Sequence, residues 1–232
     1  MQLFYLLSNM EEAPPDFIPY QGANLSLEDS ELRAAAYAAD LQKRRSVRDF
    51  SNRQVPQSLI ENLIKAAAAA PSGANRQPYT FCAVANPKIK KKIREAAEKE
   101  EFINYNGRMD GQWLNDLKPL GTNHLKPFLE TAPWLIVVFR KGYEMEADGK
   151  HQNYYVQESV GLACGFLLTA IHHAGLITLT HTPSPMAFLQ KILKRPENEK
   201  PFLLLPVGYP ANNAHVPNLQ KKSLDEITAW YL

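Results

Sequence analysis

Residues 152–174 read QNYYVQESVGLACGFLLTAIHHA, one long helical pattern that is nearly apolar on several sides. Gly161, Ala163 and Gly165 are set along it and allow another helix to approach closely. A helix of this kind needs cover all round, so it predicts a core element and, by the same reasoning, the core of a dimer. Working outward, Trp134–Arg140, Leu176–Thr180 and Phe202–Val207 are short apolar runs that read as strands, with a short helix near Pro185–Leu193. Further upstream, Tyr79–Ala85 reads as another buried strand. Pro56 opens a helix over Gln57–Ala70 whose Leu59, Ile60, Leu63 and Ile64 form one stripe, and Pro71 stops it. Asn86 and Pro87 open a highly charged helix in which Lys91 and Glu95, and Arg94 and Glu98, are spaced for pairing. Ser26 and Asp29 cap a helix that runs to about Lys43. With no internal repeat, the pattern predicts an α+β fold, helices around one central sheet.

The rest of the chain bounds what that fold can serve. It has 232 residues, 45% hydrophobic and 22% charged, close to the globular average, with a formal charge of +2. That charge is too small for long-range capture of nucleic acid, and no nucleic-acid motif is present, so any anion site must be local. Cys82 and Cys164 fall in apolar stretches without metal or redox spacing, which points to two buried thiols in a reducing compartment. Neither a secretory leader nor a membrane span is legible, and the expected location is the cytoplasm. Residues 1–25, with Pro14, Pro15 and Pro19, read as an extended arm that wraps a partner subunit, followed by a single domain over 26–232. Residues Phe102–Phe128 mix aromatic, amide, glycine and charged residues with weak period, as a mobile cover over a site does.

Three polar clusters could carry chemistry. Arg44, Arg45, Ser46, Val47 and Arg48 place guanidinium forks and a hydroxyl donor together, suited to a phosphomonoester, although arginines ending a helix also complement its dipole. The loop Pro71–Pro78 offers Ser72, Gly73 and the Ala74 backbone to a planar or anionic ligand, and an ordinary surface turn uses the same residues. Thr178–Pro183, with Thr180, His181 and Thr182, follows a strand where sheets commonly place ligand groups, and turn capping accounts for it nearly as well. Zincin, dinucleotide-fold, P-loop and nucleophile-elbow signatures are absent, and no metal site is expected.

Taken together, R-R-S-V-R at 44–48, A-P-S-G-A-N at 70–75, A-G-L at 174–176 leading to T-H-T-P at 180–183, and L-P-V-G-Y-P at 205–210 resemble the flavin-dependent nitroreductase superfamily. Within it, E-E-F-I-N-Y at 100–105, R-M at 108–109, D-L-K at 116–118, T-N at 122–123 and Lys126 resemble the active-site lid of the iodotyrosine deiodinase family, and the likeness runs from about Arg44 to Asp225. The resemblance implies a mostly antiparallel sheet, an intertwined homodimer and FMN at the subunit interface. It implies reductive removal of iodide from 3-iodotyrosine and 3,5-diiodotyrosine through reduced flavin and a semiquinone. With no separate reductase domain legible in the sequence, electrons are expected from a partner reductase or directly from NAD(P)H.

Carried over by position, Arg44, Arg45, Ser46, Val47 and Arg48 would hold the FMN phosphate and ribityl chain with Lys221, where the family pattern has Arg. Ser72, Gly73, Thr180, His181 and Thr182 would contact the flavin, with the Thr182 hydroxyl at N5 and the Ala74 N–H facing the substrate phenolate. His181 stands where the pattern has Thr. Glu101 would accept the substrate ammonium, and Tyr105 and Lys126 would donate to its carboxylate. Residues 100–128 would form the lid. A general NAD(P)H-dependent nitro- or quinone reductase and a non-catalytic flavin-binding protein are the alternatives.

Overall fold

The computed structural model describes residues 17–232. The chain divides into two units, residues 1–42 and 43–232. In the first, α1 (Leu27–Gln42) begins on Ser26, whose Oγ accepts the Asp29 N–H at 3.0 Å, and no residue of α1 is buried. Of the expected arm, residues 1–16 lie outside the described residues, and 17–25 form neither helix nor strand.

The second unit carries six strands: β1 (Tyr79–Val84), β2 (Trp134–Lys141), β3 (Tyr143–Glu146), β4 (Gly149–Gln152), β5 (Ile177–Thr178) and β6 (Glu199–Gly208). Its helices are α2 (Gln57–Ala68), α3 (Pro87–Ile103), α4 (Gly111–Leu117), α5 (Phe128–Thr131), α6 (Val156–His173), α7 (Ala187–Ile192) and α8 (Leu224–Ile227). The main sheet has the order β1-β2-β6-β5 with every pair antiparallel, in the register Cys82↔Val137 and Val137↔Leu204.

Side chains alternate across a strand, and here both faces are covered. Ile136, Val138, Leu203 and Leu205 pack with Ile60 and Leu63 of α2 and Val160 and Leu167 of α6. Leu135, Val137, Phe139 and Leu204 pack on the opposite side with Ile93 and Ala97 of α3, Leu129 of α5 and Leu189 of α7. This double cover explains why β2 is an unbroken apolar run rather than an alternating one. At the end of β6, a Cβ on Gly208 would lie 2.5 Å from Pro133 Cδ, so only glycine lets the chain pass that ring.

Four expectations need correction. The long helical pattern starts at Val156, not Gln152, because Gln152 closes a β3–β4 hairpin and Tyr155 sits at φ 51, outside helical space. The strand expected over Leu176–Thr180 is only two residues, since His181 bridges Leu204 in isolation, whereas β6 begins earlier, at Glu199. The cover segment has its own structure: a wide helical turn at Asn104–Arg108, α4, and a tight turn at Lys118–Leu120. Finally, Arg44–Arg48 do not end a helix. No basic residue occupies the last turn of α1, and Ser46 bridges Thr178 beside β5.

Candidate active site

Two neighbouring cavities gather most of the predicted residues. The first, about 390 Å³, is lined by Arg44, Arg45, Ser46, Arg48, Thr180, Leu120 and, from the far end of the chain, Pro217, Leu219, Gln220 and Lys221. Four cationic side chains around one hollow repel one another unless an anion fills it. The C-terminal stretch is held there by Arg45 Nη2, which donates to the Pro217 carbonyl. Arg44–Arg48 owe their placement to β5, because the Val47 N–H donates to the Thr178 carbonyl at 3.3 Å. Val47 itself is buried and does not line this cavity, so its part is to anchor the arginines on either side.

The second cavity, about 200 Å³, shares Arg48, Leu120 and Thr180 with the first. Its polar wall comprises Glu101, Tyr105, Thr122, Lys126, His181 and Thr182, and its apolar wall Met109, Trp113, Leu117, Phe128 and Leu179. Glu101 lies in the last turn of α3, four residues before Tyr105, and Lys126 faces them from the far end of the cover segment, 3.5 Å from Glu101 Oε2. Lys126 Nζ also donates to Thr122 Oγ1 at 3.2 Å and to the Asn123 carbonyl, and it stands 5.7 Å from the Tyr105 ring centre. Burial raises the Glu101 carboxyl and lowers the Lys126 ammonium, each partly offset by the other. Burial also lowers Arg48 and raises Tyr105.

His181 lies at the back of this cavity, edge-on to Phe128 with ring centres 5.8 Å apart, and its Nε2 has no hydrogen-bond partner. Burial, with Lys126 and Arg48 nearby, pushes its pKa down to about 3, so the imidazole is neutral.

The structure does not bring Ser72, Gly73 or Ala74 into either cavity. Their loop rests on the start of α6: the Gly73 N–H donates to Ser159 Oγ at 3.2 Å, and a Cβ there would meet Tyr155 Cδ2 at 3.0 Å. Ser72 Oγ accepts the Gln77 N–H at 3.0 Å. Ala74, Asn75 and Gln77 all adopt positive φ, a strained run of the kind that over-determined sites retain. Ala74 is exposed. Elsewhere, exposed Glu146 and Asp148 and half-buried His151 lie close together, but they are engaged with Arg76 and with one another.

The nitroreductase family model matches residues 41–209. An iodotyrosine deiodinase of Haliscomenobacter hydrossis is 61% identical over 218 residues, 94% of this chain and 98% of its own length. The chain belongs to the nitroreductase family, in its iodotyrosine deiodinase branch. The branch is wide, since iodotyrosine deiodinase 1 of Homo sapiens is 45% identical over 214 residues, 91% of this chain and 74% of its own. A solved structure of oxidized iodotyrosine deiodinase, bound to FMN and 3-iodo-L-tyrosine, superposes with a TM-score of 0.73 at 30% identity, covering 84% of this chain and 99% of that one.

For an iodotyrosine deiodinase homologue, the residues that sequence reading missed are chiefly apolar. Trp113, Leu117 and Leu120 project from α4 and the following turn, where seven helical residues are too few to show a period. Gln220 and Leu219 carry no motif at all, and only the neighbouring Lys221 marked that stretch.

Proposed function

We propose that this chain binds FMN and uses the reduced flavin to dehalogenate halotyrosines, 3-iodotyrosine and 3,5-diiodotyrosine above all. The observation that carries the reading is the pair Glu101 and Lys126, opposite charges buried face to face in a cavity that adjoins a four-cation hollow. A free amino acid brings an ammonium and a carboxylate together, and few other small aromatics give both charges a partner. That same pair argues against a general nitro- or quinone reductase, whose flat substrates would leave it desolvated and unused. A flavin-binding protein without turnover would bind the ligand yet release no halide.

The donor set fits FMN. Arg44, Arg45, Ser46, Arg48 and Lys221 surround a space suited to a phosphomonoester, with Thr180 on the path toward the second cavity. Bound FMN supplies the electron pair by which a halotyrosine and one proton become tyrosine and halide. Glu101 accepts hydrogen bonds from the substrate ammonium, and Tyr105 and Lys126 donate to its carboxylate. The Thr182 hydroxyl donates toward flavin N5, and Ser72, Gly73, His181 and the Ala74 N–H complete the ligand contacts. Residues 100–128 close as a lid, so that the substrate's own charges order the site and exclude water.

Because Ser72–Ala74 stand apart from both cavities, we assign them to the site of a second copy, in a homodimer that shares its flavins. The surface supports that assembly. On α6, Leu162 and Phe166 are exposed at 47% and 42% beside Gly161 and Gly165, where a Cβ would meet nothing within 4 Å. Leu224, Ile227 and Trp230 of the C-terminal segment are exposed at 60–66%. Among the described residues no helix is long and apolar enough to cross a membrane, and we place the reaction in the cytoplasm, with a reductase or NAD(P)H as electron source.

The deciding experiment is anaerobic: reduce the flavin chemically, add 3-iodotyrosine, and follow flavin reoxidation with iodide release. Stoichiometric iodide and tyrosine are expected. A flavin that stays reduced with iodotyrosine yet is reoxidised by a nitroaromatic would move the chain to the general reductases.

A further inference from the structure

Two side chains of the lid segment converge on a single backbone carbonyl in the loop after β5. Asn104 Nδ2 donates to Ser184 O at 3.0 Å, and Arg108 Nη1 donates to the same oxygen at 3.1 Å. Arg108 is held in place by Asn104 Oδ1 at 2.8 Å and by Glu100 Oε2 at 3.0 Å. A carbonyl has two lone pairs, so the Ser184 oxygen can take both donors; the two hydrogens of Arg108 Nη1 are shared among three acceptors, which makes Asn104 Nδ2 the principal donor and Arg108 the second. The Ser184 N–H in turn donates to the Thr182 carbonyl at 2.8 Å.

The contact joins two irregular segments and no strand or core helix. Asn104 follows directly on α3, which carries Glu101, and Tyr105 is the next residue; on the other side of the clasp, Thr182 lines the same cavity as both. Asn104 is only 6% exposed, an uncommon position for an amide unless its bonds are specific. We propose that Asn104 and Arg108 are positioning residues: through the Ser184 carbonyl they make the substrate-gripping end of the lid and the Thr182 loop one unit, so that capture of a halotyrosine sets where the Thr182 hydroxyl stands. This rests on the halotyrosine reading above.

Asn104→Asp is the sharpest probe. It keeps the size of the side chain and an acceptor for Arg108 but puts an oxygen against the Ser184 carbonyl. In the FMN-loaded protein without substrate, amide exchange should quicken tenfold or more both in the lid and at the Thr182 and Ser184 amides. Exchange unchanged at those two amides overturns the proposal, since a merely local role would loosen the lid alone. With 3-iodotyrosine at saturation, iodide release should stay at least tenfold below the parent while FMN affinity is unaltered. A full rate at saturation would mean that the clasp serves affinity only, and it too overturns the proposal. If the parent protein itself releases no iodide, the dehalogenase reading falls and the clasp is judged on exchange alone. Arg108→Lys, which weakens one of the two donors, is read in the same way should the Asp variant fail to fold.

Discussion

Lys126 Nζ stands 3.5 Å from Glu101 Oε2, with the two side chains only 4% and 9% exposed. Both charges are desolvated, and each is the other's main compensation, so a ligand that offers each a further partner gains where a neutral one does not. Glu101→Gln and Lys126→Gln should each weaken 3-iodotyrosine binding by about 30-fold, near 2 kcal/mol for one charge-assisted hydrogen bond, and leave FMN bound. Titration calorimetry on the FMN-loaded variants checks this; unchanged affinity in both removes the clamp assignment.

The same pair sets a pH window for binding. Burial raises the Glu101 carboxyl and lowers the Lys126 ammonium, and a zwitterion needs both in their charged forms. Affinity should therefore fall on the acid side at a higher pH than an ordinary carboxylate would dictate, and on the alkaline side at a lower pH than an ordinary lysine. For stability the carboxyl works the other way: with its folded pKa raised, it favours the folded state at low pH, and that contribution is lost as pH rises through the raised value. Binding isotherms across pH test the window, and an acid limb at an ordinary carboxylate pKa would contradict it.

Lys221 offers a different test, because its ammonium, which lacks a bidentate fork, lines a cavity with Arg44, Arg45 and Arg48. Lys221→Ala should weaken FMN binding by about 10- to 100-fold, in line with roughly 1.5–3 kcal/mol for a hydrogen bond to a charged group. Lys221→Arg should hold FMN at least as tightly as the parent. Fluorescence titration of the flavin-free protein with FMN measures both, and an alanine variant with unaltered affinity would show that Lys221 does not reach the phosphate.

How far the sequence reaches is clear from particular residues. Strong strands such as Trp134–Lys141 and the capped helix from Pro87 were legible because their signals are local: an apolar run, and Asn86 Oδ1 accepting from Lys88 and Ile89. The β3–β4 hairpin was not, since its YEME and GKHQ strands are half-exposed and lack an apolar face. In the two cavities, most of the polar residues are legible as an ordered set of motifs, Gln220 being an exception. Bringing Lys221 to Arg44 needs 176 intervening positions to fold back, which no period encodes, and the Ser184 carbonyl that Asn104 grips leaves no trace in side-chain identity.

His181 is kept neutral by burial, with Lys126 and Arg48 pushing the same way, and its pKa falls from 6.5 to about 3. A histidine with a depressed folded pKa contributes stability above the unfolded value, and loses it as pH falls from 6.5 toward 3 because only the unfolded chain takes up the proton. At 1.36 kcal/mol per unit, the loss by pH 4 is about 3 kcal/mol. His181→Thr should remove it, so the variant gains on the parent by that order between pH 7.5 and pH 4. Urea midpoints at the two pH values decide the matter, and an equal difference at both would mean that His181 is not held neutral.

Lys90 ties the cover segment to the core at its far end. Its buried Nζ donates to the carbonyls of Glu130 at 2.9 Å and Ala132 at 2.7 Å, while Glu98 on the same helix accepts the Lys126 N–H at 2.7 Å. Helix α3 thus fixes both ends of the stretch from Lys126 to Ala132, and with it the backbone from which Lys126 reaches Glu101. Lys90→Met keeps the apolar stem but leaves one buried and one partly buried carbonyl without their donor, which outweighs the relief of not burying an ammonium. We expect a stability loss of about 2–3 kcal/mol in urea and a several-fold weaker grip on 3-iodotyrosine with FMN binding retained. A loss below about 0.5 kcal/mol would mean that water satisfies those carbonyls as well as Lys90 does.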